Sequence, residues 1–294
     1  SGQIVSNHSQ SGGVPAAVVS PPLTNMTAKD LLATLNLTEK PNAKRAVDDL
    51  ESLATSVAPQ RYGNILQHDA ARDWLEAEYK KAGLNVTRFK FDGKSVSGVG
   101  PMSPGQDIIA TLPGADPKRL IVFGGHYDGA EYATEAAYDD GSGTIITLEL
   151  ARAAAKYNWT HTLVFAGWDQ EEQGLVGSAA FAKRLKEAGY EVDLYMNFDM
   201  VGLNWPAKQF GAKDAPISAG FGGPRDKEMA ALWTAVAEHL KYPAALMPVA
   251  TGVKGGGSDH TPFIQAAYTA VAFDVLPPIQ YPMAPTIDTS HSMN

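Results

Sequence analysis

Short apolar runs alternate with stretches of helical periodicity along most of this chain, and few folds satisfy such an alternation. Runs at 86–91, 108–112 and 120–123 read as strands; a helix over 142–157, a strand over 162–168, a helix over 175–188 and a strand over 194–200 follow. A helix near 227–240, a Gly-rich loop at 255–257, a short helix from Asp259 and a strand over 269–275 repeat the scheme. Two helices precede it, one from Ala43 with Val47, Leu50, Leu53 and Val57 on one face, the other over 70–82 and stopped by Gly83. Parallel neighbours need long crossovers, which such helices supply, so the pattern predicts an α/β fold with a mixed, mostly parallel central sheet flanked by helices. Residues 1–28, rich in Ser, Gly, Pro and Val without either period, read as a flexible tail or the remnant of a pro-segment. That leaves 29–294 as a single domain.

Composition narrows the partners. A net charge of −8 and no basic block argue against nucleic acid, and no apolar run reaches the ~18 residues of a membrane span. Cysteine is absent, which removes disulfides, thiol chemistry and thiolate metal sites. Five of the ten asparagines (Asn7, Asn25, Asn36, Asn85 and Asn158) begin an Asn-x-Ser/Thr sequon, an enrichment that predicts a secreted glycoprotein. The opening Ser-Gly-Gln lacks a charged region followed by an apolar core, so an export signal is expected to have been removed already.

The chemistry gathers where strands are expected to end. Gly124-Gly125-His126-Tyr127-Asp128 follows one apolar run, and Asp139-Asp140-Gly141-Ser142-Gly143 opens a helix. Asp169-Gln170-Glu171-Glu172-Gln173-Gly174 and Asn197-Phe198-Asp199-Met200 end the next two strands. Any one of these acids alone is more often a helix cap or a solvated charge than a ligand. Four such sites on the carboxyl ends of one sheet, with glycines beside them, point instead to a shared pocket. Imidazole with carboxylates and no thiolate suits zinc, and the number of acids suits a pair of ions with a bridging carboxylate.

In these elements the chain resembles the M28 family of zinc metallopeptidases, whose fold is that of zinc-dependent exopeptidases (phosphorylase/hydrolase-like). The resemblance covers about residues 43–294 and rests on His126-Tyr127-Asp128, Asp139 to Gly143, Glu171-Glu172-Gln173-Gly174-Leu175-Val176-Gly177-Ser178 and Asp199-Met200. It implies two zinc ions, with His126 on one, Asp139 bridging both, and Glu172 and Asp199 completing one each. Asp139 rather than Asp140 fits the bridge because it stands three positions before Ser142, and the peptide that follows it is often cis in the family. Asp128 resembles the carboxylate that orients the histidine ligand, and Glu171 the general base that becomes a general acid.

Two histidines compete for the fifth ligand position. His291, in Ser290-His291-Ser292, resembles the family's last ligand and is preferred; His260, in Ser258-Asp259-His260, resembles a pocket-forming turn on the substrate side. Met200 and an apolar stretch over 273–281 are expected to line the substrate pocket, and Ser290 stands where many members have an oxyanion-stabilising tyrosine. The remaining histidines, His8, His68, His161 and His239, read as solvated or core imidazoles.

The resemblance implies an aminopeptidase acting on peptides with a free amino terminus, because acids around the metals offer the α-ammonium group a negative pole. A carboxypeptidase needs a basic clamp, and these motifs contain no Arg or Lys. A glutaminyl cyclase with one zinc, or a non-catalytic interaction module on the same scaffold, are the alternatives; the complete set of ligand types favours hydrolysis.

Overall fold

The computed structural model describes residues 40–59, 61, 64–96, 100, 101, 104–130, 133, 135–201, 217–242, 244–246, 249 and 257–274. Residues 1–28 and His291 lie outside them.

Asn42 caps the first helix, its side chain accepting the N–H of Arg45, and α1 (Ala43–Glu51) runs from there into a π-helical turn (Ser52–Val57). The extra residue of that turn shifts the helical phase. Leu50, Leu53 and Ala54 are buried with Ala46 packed beside them, while Val47, expected on the same face, is 52% exposed. The second helix, α2 (Ile65–Lys81), starts five residues earlier than its apolar period suggests, because Asn64 caps it through the N–H groups of Leu66 and Gln67.

Strands β1 (Asn85–Phe91), β2 (Ser95–Val96), β3 (Gly100–Pro101), β4 (Gly105–Leu112) and β5 (Asp116–His126) come next. A π-helical turn at Ala137–Gly141 leads into α3 (Ser142–Ala154), followed by β6 (His161–Trp168), α4 (Val176–Glu187) and β7 (Glu191–Phe198). Strand β8 (Ile217–Gly222), α5 (Asp226–Leu240), β9 (Ala244–Leu246), α6 (His260–Gln265) and β10 (Ala270–Asp274) complete the described elements. Strands β8 and β9 and the small β2–β3 hairpin are additions to the sequence-based expectation.

Among the described residues eight strands form one sheet in the order β1-β4-β6-β5-β7-β10-β8-β9. Its centre, β6-β5-β7-β10, is parallel, while β1, β4 and β8 pair antiparallel toward the edges. Strand β6 shows how both faces are covered. Leu163 and Phe165 point into a core with Leu50, Leu75, Tyr79, Ile145 and Leu148 from the helices on one side. Val164, Ala166 and Trp168 point into a second core with Phe181, Leu185 and Phe263 on the other. Each such large side chain contributes roughly 1.5–3 kcal/mol by leaving water. Among the described residues no helix is long and apolar enough to cross a membrane.

Candidate metal centre

The three adjacent strands β6, β5 and β7 run in one direction, so their carboxyl ends deliver side chains to the same edge of the sheet. His126 ends β5, Glu171 and Glu172 lie just past β6, and Asp199 follows β7 with its N–H bonded to the Phe273 carbonyl of β10. Asp139 enters from the turn before α3. That helix start can approach the strand ends only without side chains in the way. A Cβ on Gly143 would lie 2.0 Å from the Phe198 carbonyl oxygen, and one on Gly125 would lie 2.6 Å from the Gly143 carbonyl carbon.

His126 is buried at the centre of the group. Its Nε2 lies 3.1 Å from Asp139 Oδ1 and 3.7 Å from Asp199 Oδ1. Its Nδ1 faces the Asp128 carbonyl oxygen at 3.1 Å and the Asp128 carboxylate at 3.4 Å. An Nδ1–H donated to that carbonyl leaves Nε2 as the nitrogen directed at the acids. The Asp128 carboxylate in turn accepts the backbone N–H groups of Glu171 at 3.2 Å and Glu172 at 3.3 Å. The peptide bond between Asp139 and Asp140 is cis, as the resemblance implies.

Asp140 has a different part from its neighbour. It is fully buried, and its carboxylate accepts N–H groups from His126, Gly143 and Met200, three segments that meet at the site. Behind it, the buried Arg61 donates to the carbonyls of Tyr127, Glu135 and Ala136, joining the loops that carry His126 and Asp139. The loop after β6 is anchored by Asp169, which accepts from Gln106 N–H and contacts His68 Nε2 at 2.8 Å. A further chain, Trp168 to Tyr195 to Asn197 to Ser258, fixes the Ser258-Asp259-His260 element under the site.

Electrostatics follow from so many acids in little water. Burial and the neighbouring acids push Glu171 well above the usual carboxylate range and Glu172 up to about 8. Burial raises Asp259 to about 7 and lifts Asp140 well above its ordinary value. Burial opposes charge on His126 as well, yet Asp128, Asp139 and Asp199 outweigh it and raise the imidazole well above its ordinary value. Asp199 is the exception among the acids: burial works against its charge, but His126 and Ser258 hold it below the usual range.

Among the described residues two groups of potential ligand atoms emerge, His126 with Asp139 and Asp199, and His126 with Glu171 and Glu172, each with its atoms within 4.8 Å of one another. Glu172 Oε1 and Asp199 Oδ1 are buried without a hydrogen-bond partner, a costly state for an acid in the absence of a cation. The donor set, imidazole nitrogen and carboxylate oxygen, is one zinc accepts. The residues therefore fit a divalent cation.

The structure thus brings together His126, Asp139, Glu171, Glu172 and Asp199, with Asp128 against the histidine. Met200 follows Asp199 with a positive φ of 57° and is bound through its N–H to Asp140. His260 is buried at the start of α6, and its charge acts on Asp199. Sequence reading did not single out Asp140, Asp259, Arg61 or the His68–Asp169 pair as parts of the site. Asp140 and Asp259 lie inside the quoted motifs, whereas nothing local marks Arg61 or His68.

Residues 107–292 match the family model described as peptidase family M28. A probable zinc metalloprotease of Pyrenophora tritici-repentis is 32% identical over 242 residues, covering 70% of this chain and 50% of that protein. The chain spans about half the length of such curated relatives. Among solved structures, a zinc aminopeptidase from Bacillus subtilis superposes with a TM-score of 0.69 at 16% identity, covering 87% of this chain and 91% of that one. A glutaminyl cyclase from Porphyromonas gingivalis gives 0.65 at 20% identity, covering 86% and 92%.

Proposed function

The chain belongs to peptidase family M28, and on that premise we propose that it is a zinc-dependent aminopeptidase. The observation that carries the reading is the pair of ligand groups that share His126, with buried carboxylate oxygens of Glu172 and Asp199 that make no hydrogen bond. Two zinc ions would draw on His126, Asp139, Asp199, Glu172 and His291 and leave Glu171 free as the base.

Zinc held there supplies a polarised scissile carbonyl and a water of lowered pKa. The chain's own residues do the rest. Glu171 takes the proton of the attacking water and passes it to the leaving amine, a role that suits a carboxyl raised by burial. Asp128 holds His126 in one tautomer and fixes the N–H groups of Glu171 and Glu172, so base and ligand keep their spacing. The excess of acid at the strand ends attracts the α-ammonium group of a peptide and disfavours a terminal carboxylate. Met200, next to Asp199, belongs to the wall against which the first side chain packs, and His260 approaches from the substrate side.

Export into an oxidising, glycosylating compartment is part of the same proposal; of its sequons, Asn158 is exposed on the turn after α3.

The test is turnover of amino-acid anilides, free or blocked at the amino group, with and without a chelator. Free substrates alone should be cleaved, and the chelator should abolish cleavage. Cleavage confined to blocked substrates rejects the aminopeptidase; cyclisation of glutaminyl peptides without hydrolysis assigns the cyclase alternative.

A further inference from the structure

Away from the strand ends, where α2 and α3 terminate, a cavity of about 250 Å³ opens between helices. Five basic side chains line it, Lys40, Arg45, Lys81, Arg152 and Lys156; the rest of its lining is alanine. Such a concentration runs against the chain as a whole, whose net charge is −8.

Helix ends explain part of it. The last carbonyls of a helix attract cations, and Lys81 and Arg152 stand in the final turns of α2 and α3. Lys156, two residues past the end of α3, shares that reason, but Lys40 and Arg45 do not. Nearby acids compensate only in part. Glu149, 2% exposed, binds Arg45 Nε at 2.7 Å and Nη2 at 2.8 Å, and also contacts Arg152 Nη1. Arg152 further reaches Asp49 at 2.5 Å and Glu78 at 2.8 Å, and Lys81 reaches Glu78 at 2.5 Å.

These bonds leave donors over. Arg45 Nη1 and Arg152 Nε make no hydrogen bond among the described residues, and neither Lys40 nor Lys156 has an acidic partner there. Three acids therefore stand against five cations, and the acids fix the two guanidinium groups in place. A rigid pair of guanidinium groups flanked by two free ammonium groups matches a multivalent oxyanion better than chloride or a carboxylate.

We propose that this cavity is a binding site for a tetrahedral oxyanion, phosphate or sulfate, free or as an ester. The anion bridges the segment before α1, α1 itself and the ends of α2 and α3. Its occupation ties the N-terminal helices to the sheet-covering helix α3, so binding appears as resistance to unfolding.

The test uses the full chain at about 0.15 M salt. Inorganic phosphate, sulfate and glucose 6-phosphate are titrated against it by calorimetry and thermal melting, with chloride at matched ionic strength. A saturable rise in Tm with phosphate and sulfate but not chloride is expected. Binding of glucose 6-phosphate as well extends the site to esters; its failure restricts it to the free anion. The double variant Lys40→Gln with Lys156→Gln should remain folded, keep its turnover of free anilides and bind phosphate about tenfold or more weakly. Phosphate held at the metal centre instead would bind the double variant unchanged. That result, an equal response to chloride, or no saturation overturns the proposal.

Discussion

His126 Nδ1 lies 3.1 Å from the carbonyl oxygen of Asp128 and 3.4 Å from its carboxylate. That carboxylate also accepts the N–H groups of Glu171 and Glu172, so one residue holds the histidine through its carbonyl and the loop after β6 through its side chain. Three side chains proposed to act together, His126, Glu171 and Glu172, depend on it.

Replacing Asp128 by alanine keeps the carbonyl that accepts from Nδ1 but removes the carboxylate beside it and the anchor of the Glu171–Glu172 loop, and is expected to weaken zinc binding about tenfold, the lower end of the cost of losing a group that orients a metal-binding histidine. Competition against a chromogenic chelator measures it. Unchanged affinity would mean that His126 is held by other contacts.

The adjacent acids Asp139 and Asp140 should behave differently. Asp139 contacts His126 Nε2, whereas Asp140 accepts N–H groups of His126, Gly143 and Met200. In the presence of a chelator Asp139→Asn should unfold within about 1 kcal/mol of the parent protein while failing to bind zinc. Asp140→Ala, which orphans buried N–H groups, should lose about 2–4 kcal/mol of stability by urea titration. Equal losses would remove the distinction between ligand and scaffold.

His68 gives a pH-dependent prediction. Burial opposes its charge, but Asp169 at 2.8 Å outweighs burial and raises its pKa above the ordinary 6.5. A base whose pKa is raised on folding contributes stability that is fully present below the unfolded value and is lost as pH rises through the folded value. The gap in Tm between the parent and His68→Gln should accordingly be widest at pH 6 and below, and should narrow on the alkaline side. A gap that widens with pH contradicts the charged pair.

Arg61 spans three carbonyls that lie on either side of the His126 and Asp139 segments. Arg61→Ala should cost about 3 kcal/mol or more and lower zinc affinity as well, since both segments lose a common anchor. Lysine at this position should restore only part, because an ammonium cannot reproduce the planar fork. Denaturation and zinc titration of the two variants together check this.

The alternation of strands and helices was readable because β6 and β7 carry dense apolar runs and α3 to α5 carry long amphipathic ones. Strand β5 is longer than its apolar run suggests, since Gly124 and Gly125 extend it without apolar side chains. Strand β8, Ile-Ser-Ala-Gly-Phe-Gly, has small residues where a strand signal needs branched ones; it is held by pairing with β10. Val47 stands off the buried face of α1, which runs through Ala46 and Leu50; the small Ala46 gives no apolar signal to mark it.

At the site, residues proposed to touch metal or substrate stand in compact motifs and were legible. Arg61 and His68 were not, because the partners that tie them to the site lie 66 to 75 and 101 residues away in sequence and nothing local distinguishes a buried cation from a solvated one. Asp140 was visible only as a neighbour; its role depends on three chain segments converging on it.

The most direct measurement is anomalous diffraction at the zinc edge from crystals grown with zinc. Two peaks are expected, one on either side of Asp139, one reached by Asp199 and the other by Glu172. A single peak that leaves Glu172 or Asp199 unligated, or none near His126, would contradict the paired-ion centre on which the proposed hydrolysis depends.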